Sequence, residues 1–244
     1  MKAAYIKKTG SPLEVSADVK IPDLKAGQVL VDIAFSGVCH SQLMEVRGWR
    51  GEDPYVPHML GHEATGVVRS IGEGVEKVKA GDRVVLGWIK GQGQNVPGSV
   101  YDCCGESINA GDVTTFMQSA VVSENRISIL PVDIPMKVGV LFGCAMPTGA
   151  GIILNEIKPK QNSTIGIFGL GGIGMSALVA TRAFNCSKVL AFDIEDSKLN
   201  LALDLGATDA IRADDKDLKS KVMDLTDGQG LDYIVEAAGL TQTI

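Results

Sequence analysis

Apolar residues recur at two different periods along this chain. Up to about residue 135 they come as short alternating runs broken by Gly and Pro, over 2–7, 13–21, 29–35, 64–71, 83–88, 115–122 and 127–130. Alternation at period two reads as half-buried strands. Turn signals such as Lys25-Ala-Gly27, Gly72-Glu-Gly74 and Ala80-Gly-Asp82 separate these runs. Many short strands without interleaved helices predict an antiparallel or barrel-like β domain, with one helix over 41–47. The second half switches period. Helical patterns over 195–205 and 215–225 alternate with apolar strands over 165–168, 188–192, 210–212 and 231–237, the signature of βαβ units on a parallel sheet. The fold class expected is α/β with a β-rich domain, divided into 1–150 and 151–244.

The stretch 163–193 is the most informative. A buried strand over 165–168 runs into Gly169, Gly171 and Gly174 at G-x-G-x-x-G spacing, a helical pattern follows, and a second strand ends at Asp193. Such glycines let the backbone turn tightly and approach a pyrophosphate, whose charge sits on the free N–H groups of the helix N-terminus. The candidate cofactor-binding positions in this turn are Gly169, Gly171, Gly172, Ile173 and Gly174. Asp193 lies 19 residues after Gly174, where a carboxylate accepts hydrogen bonds from an adenosine ribose and repels a 2′-phosphate. The cofactor expected is therefore NAD(H) rather than its phosphorylated form.

Composition narrows the class of partner. In a chain of 244 residues, a net charge of −6 argues against nucleic acid or an anionic membrane. No apolar run approaches the ~20 residues that span a bilayer, and the N-terminus lacks the apolar core of a signal peptide, so a cytoplasmic location is expected. Five cysteines, an odd number at irregular spacing, suit reduced thiols or metal ligands better than a disulfide framework.

Soft ligands gather in the first half. Cys39 and His40 end one predicted strand, His62 and Glu63 precede another, and Cys144 lies just ahead of the second half. Two thiolates and an imidazole suit zinc with one coordination position left open. Ligands 23 and 82 residues apart form no local motif, however, and buried cysteines also serve as small hydrophobes, so residue types alone leave both readings open.

Five segments, Gly37-Val-Cys-His-Ser41, Gly61-His-Glu-Ala-Thr-Gly66, Gly81-Asp-Arg-Val84, Gly143-Cys-Ala-Met-Pro-Thr148 and Gly169-Leu-Gly-Gly-Ile-Gly174, resemble in order those of the zinc-dependent alcohol dehydrogenases of the medium-chain dehydrogenase/reductase superfamily. The resemblance runs along essentially the whole chain. It implies a GroES-like β-barrel catalytic domain joined to a Rossmann coenzyme domain, with one catalytic Zn2+ and NAD(H) as cofactors. Cys39, His62 and Cys144 would be the metal ligands, with Glu63 beside the histidine able to tune or transiently join them. Ser41 would take the alcohol proton, His40 would lie near the pyrophosphate, Thr148 against the nicotinamide and Lys198 at the adenosine ribose. The implied reaction moves a hydride between an alcohol or polyol, or the matching aldehyde or ketone, and NAD(H). The implied partner is a small molecule, with a homo-oligomer expected of a complete chain.

The chain departs from that family in three ways. Gln42 stands where many members have an aspartate that orients the zinc-bound histidine, and Met44 where some carry a relay histidine. Gln42 is expected to accept a hydrogen bond from that histidine without supplying charge. The segment 91–112, often the seat of a four-cysteine zinc, has only Cys103 and Cys104, so no structural zinc is expected. Finally, the chain stops at Ile244 where a further helix should begin, so the Rossmann sheet is expected to lack its last strands and to expose strand four. Two other functions stand as alternatives. One is a zinc-free reductase of enones or quinones from the same superfamily, disfavoured by the complete Cys39, His62 and Cys144 set. The other is a truncated, inactive chain that binds dinucleotide or a partner through its sheet edge.

Overall fold

The computed structural model describes residues 1–241. The chain separates into two units, Met1–Cys144 and Ala145–Ile244, a boundary ahead of the residue 150 read from the sequence.

The first unit holds eleven strands among its described elements: β1 (Ala3–Ile6), β2 (Glu14–Ser16), β3 (Val19–Lys20), β4 (Gln28–Ser36), β5 (His58–Met59), β6 (Ala64–Ile71), β7 (Arg83–Leu86), β8 (Val100–Cys103), β9 (Glu106–Asn109), β10 (Ser119–Ser123) and β11 (Ile127–Ile129). Helix α1 (His40–Val46) follows β4, and α2 (Met136–Gly139) closes the unit together with a 3-10 turn over Val140–Gly143. Two sheets form, in the orders β2-β1-β5-β9-β8-β3 and β10-β4-β6-β7-β11. Their inward-facing side chains make one core around Tyr5, Val29, Val31, Leu86, Tyr101, Ile108 and Ile127.

Three strand expectations change in detail. The run 13–21 becomes two strands because Asp18 N–H donates to Ser16 Oγ at 3.1 Å, turning the chain between them. The run 115–122 begins as a strand only at Ser119, since Thr115 and Phe116 both donate to Leu60 O at 2.9 Å instead of to a ladder. The segment 91–112 contains a hairpin, β8 to β9, that the alternation did not announce. Its two-residue turn takes Cys104 (φ 55°) and Gly105 (φ 88°) into the left-handed region, which favours glycine at both places and is filled by it at only one.

In the second unit, α3 (Ala145–Gly151) continues as a π-helical segment over Ile152–Ile157. The chain then alternates through β12 (Thr164–Phe168), α4 (Gly172–Thr181), β13 (Lys188–Asp193), α5 (Asp196–Leu205), β14 (Asp209–Arg212), α6 (Leu218–Leu225) and β15 (Tyr233–Glu236). All pairings in this sheet are parallel, in the order β14-β13-β12-β15. Period-two alternation divides the core between its faces. Ile165, Ile167, Val189 and Ala191 meet Ala177 and Leu178 of α4 and Leu199 and Ala202 of α5 on one side. Leu190, Phe192 and Phe168 meet Leu218, Val222 and Leu225 of α6 on the other. Phe168 and Phe192 stack there, with centroids 4.2 Å apart and planes 11° from parallel. A four-strand parallel sheet is what the βαβ reading requires. Among the described residues, no single helix is long and apolar enough to cross a membrane.

Candidate metal centre and dinucleotide turn

Backbone contacts in the first unit draw three distant segments together. Gly37 N–H donates to Glu63 O at 3.0 Å, which brings the end of β4, and Cys39 at the N-cap of α1, beside the turn that carries His62. Trp88 N–H donates to Gly143 O at 3.2 Å, and this anchors the segment that ends in Cys144. The approaches are too close for side chains: a Cβ on Gly37 would lie 2.6 Å from Glu63 Cδ, and one on Gly143 would lie 2.5 Å from Leu86 O. The outcome is a cluster in which one ligand atom each from Cys39, His62 and Cys144 lies within 4.8 Å of the others.

Two polar atoms near this cluster lack partners among the described residues. Ser41 Oγ and Glu63 Oε2 are buried without a hydrogen bond, which is costly unless another group satisfies them. Burial pushes the His62 imidazole below its ordinary value, with nearby Arg50 adding to the shift, and it pushes the Glu63 carboxyl up. A neutral imidazole with two sulfur donors is a donor set suited to zinc with an open position. The residues present therefore fit the metal.

The surroundings differ from expectation at Gln42. Gly61 N–H donates to Gln42 Oε1, so the amide nitrogen, and not the oxygen, faces His62 Nδ1 at 3.1 Å. The same nitrogen donates to Glu45 Oε2 at 3.3 Å. The sequence showed that position 42 is amide rather than carboxylate, but not that Gly61 would claim its oxygen. His40 faces Trp49, with ring centroids 6.2 Å apart, and Arg47 lies 4.9 Å over the same indole. Trp88 stands edge-on to His62 at 6.3 Å and is 58% exposed. His58 is buried in β5 and lies 2.7 Å from Asp53 Oδ2. Cys103 is buried and its thiol donates to Ser16 Oγ at 3.2 Å, whereas Cys104 is exposed.

The dinucleotide turn belongs to the second unit. Gly169 has φ +85°, and a Cβ there would lie 2.5 Å from Ala238 N, while one on Gly174 would lie 1.9 Å from Gly169 O. Gly171, at the N-cap of α4, differs: among the described residues a Cβ there would meet nothing within 4 Å, so none of them requires glycine at this position. An empty space over an uncapped helix N-terminus is what a pyrophosphate needs. Gly172 and Ile173 open α4, and Thr148 lies in α3. Asp193 is buried and already employed, since Oδ2 accepts from Leu170 N–H at 2.7 Å and Oδ1 from Glu195 N–H at 3.0 Å. Each oxygen keeps a second lone pair. Lys198 lies 3.7 Å from Asp193 Oδ1 and 2.9 Å from Glu195 Oε1. The carboxylate thus shapes the turn through both of its oxygens, a role that spacing alone did not show.

Comparison with known proteins agrees with this layout. The alcohol dehydrogenase GroES-like domain family matches residues 25–132 and the zinc-binding dehydrogenase family residues 172–244. Class-3 alcohol dehydrogenases are similar along nearly the whole chain. That of Zea mays is 31% identical over 98% of this chain and 69% of its own length, and that of Pisum sativum 30% identical over 98% and 70%. Among solved structures, an alcohol dehydrogenase zinc-binding domain protein from Burkholderia ambifaria superposes with a TM-score of 0.86 at 30% identity, over 98% of this chain and 70% of that one. Benzyl alcohol dehydrogenase from Acinetobacter calcoaceticus superposes with a TM-score of 0.84 at 31% identity, over 99% and 71%.

Proposed function

The chain belongs to the zinc-dependent alcohol dehydrogenase family, and from that premise we propose that Cys39, His62 and Cys144 hold a catalytic zinc for hydride exchange between an alcohol or polyol and NAD(H). The convergence of those three donors from segments 23 and 82 residues apart is the observation that carries the reading. When bound, zinc supplies the Lewis acid and NAD the hydride acceptor. The protein's own residues do the rest. Ser41 Oγ, buried and without a partner, is the hydroxyl that accepts the substrate's proton and hands it on. Glu63 Oε2, equally unpartnered, leaves a carboxylate in reserve beside His62. Trp88 forms a wall of the substrate site and limits the bulk of what enters it. In the second unit, the N-terminus of α4 takes the pyrophosphate, and Asp193 with Lys198 takes the adenosine ribose. The reading extends to the cytoplasm, where thiolate ligands stay reduced.

The test follows NADH formation by the zinc-loaded protein with a panel of primary alcohols, secondary alcohols and polyols. NADH formation that disappears in Cys144→Ser is expected. Reduction of enones or quinones that persists in Cys144→Ser, without alcohol oxidation by the wild-type protein, would point instead to the zinc-free reductase.

A further inference from the structure

One amide beside the metal centre has more claimants than orientations. Gln42 Oε1 accepts from Gly61 N–H, while Gln42 Nε2 donates to Glu45 Oε2 at 3.3 Å and lies 3.1 Å from His62 Nδ1. A backbone N–H only donates, and an ionised carboxylate only accepts. Gly61 and Glu45 therefore select the same orientation of the amide, with its nitrogen turned toward His62. Glu45 is itself held from behind: His58 Nε2 lies 3.6 Å from Glu45 Oε1 and 2.7 Å from Asp53 Oδ2, and His58 Nδ1 donates to Met59 O at 2.8 Å. The side chains of Glu45, Asp53 and His58 are all largely buried.

That orientation conflicts with a metal ligand's needs. A neutral imidazole carries one N–H, and when one ring nitrogen gives its lone pair to a metal the hydrogen sits on the other, which then requires an acceptor. Nδ1 of His62 is the nitrogen turned to Gln42, and it meets an N–H there. We propose that Glu45 is a positioning residue which holds the Gln42 amide nitrogen toward His62 and so weakens metal binding at the Cys39, His62 and Cys144 centre, coupling metal loading to a turn of that amide. In the turned amide, Oε1 accepts from His62 Nδ1–H but abandons Gly61 N–H and faces the Glu45 carboxylate oxygen to oxygen. An aspartate or glutamate at position 42 would have two oxygens, one for each donor. Gln42 has one.

This inference rests on the metal-centre reading, and its test separates the two. The zinc dissociation constant is measured by competition with a chelator for the wild-type protein, Glu45→Gln and the double variant Gln42→Glu/Glu45→Gln. An amide at position 45 can present its own N–H to a turned Gln42 oxygen, so Glu45→Gln is expected to bind zinc about tenfold more tightly, the lower end of effects seen for residues behind metal ligands. The double variant, whose carboxylate serves Gly61 N–H and His62 Nδ1–H together, is expected to bind more tightly than wild type as well, and it carries the test should Glu45→Gln fail to fold. A merely structural Glu45 would give the opposite sign, since loosening the site lowers affinity. Unchanged or weaker zinc binding in folded Glu45→Gln, or in the double variant, overturns the proposal and leaves the metal centre standing. A wild-type protein that holds no zinc overturns both.

Discussion

Ser41 and Glu124 show how differently two buried polar side chains can be used. Ser41 Oγ has no hydrogen bond among the described residues, so Ser41→Ala removes an unsatisfied group and is expected to leave stability nearly unchanged. Its loss is expected to appear in catalysis alone, as a fall of about 10²- to 10⁴-fold in kcat, measured beside a melting curve. An equal loss in both would mark the hydroxyl as structural. Glu124 is the reverse case. It is 3% exposed, with Oε1 accepting from the N–H groups of Glu76 and Lys77 and Oε2 from that of Gln94, each at 2.8 Å. Burial raises its pKa, but those three N–H groups and the Lys77 charge outweigh burial and hold the carboxyl below its ordinary value. A depressed carboxyl contributes stability that is fully present above the unfolded value of about 4.3 and is lost as pH falls through the folded value. Glu124→Gln turns an amide toward one of the donors and is expected to cost about 1–3 kcal/mol at neutral pH. The melting temperature of the variant should also fall less than that of the wild type on acidification, and parallel curves would refute the assignment.

At the scale of elements, the glycine turn between β12 and α4 separates two roles that one motif conflates. Gly169 and Gly174 are required by the protein, since a Cβ at either would strike backbone, so Gly174→Ala is expected to destabilise the second unit. Gly171 is required only by what approaches it. Gly171→Ala should therefore fold with an unchanged melting temperature and lose affinity for NAD by at least tenfold, a pair of results read by thermal denaturation and calorimetric titration. This turn was legible in sequence because all its parts are local: strand, glycines, helix and Asp193 fall within about thirty consecutive residues. Other elements were less so. Helix α3 carries Pro147, Gly149 and Gly151 within seven residues, a composition that argues against a helix. It forms because Gly149 lets it lie against α4, where a Cβ would come 2.1 Å from Ile173 O. The β8–β9 hairpin hid for the opposite reason, its turn using a cysteine where glycine or asparagine is the usual signal. The orientation of Gln42 hung on the N–H of Gly61 and the carboxylate of Glu45, beyond the reach of any pattern.

Across the whole molecule, the two candidate sites fall in different units. Cys39, His62 and Cys144 lie in Met1–Cys144, and the glycine turn with Asp193 lies in Ala145–Ile244. Ligands that bind only the folded state stabilise what they bind. Zinc should therefore slow hydrogen exchange around residues 37–43 and 60–64, and NAD around 169–175 and 193–195. Protection by zinc confined to the second unit would contradict the assignment of its ligands. Residue types alone left the metal centre as scattered donors, and the family resemblance named them as a set; the fold joins them through Gly37 N–H on Glu63 O and Trp88 N–H on Gly143 O. The most direct test of the account is elemental analysis of zinc per chain, on the freshly purified, reduced protein and on Cys144→Ser. One zinc per chain, lost in the variant, is the result expected; a protein without zinc, or a variant that keeps it, would contradict the metal centre.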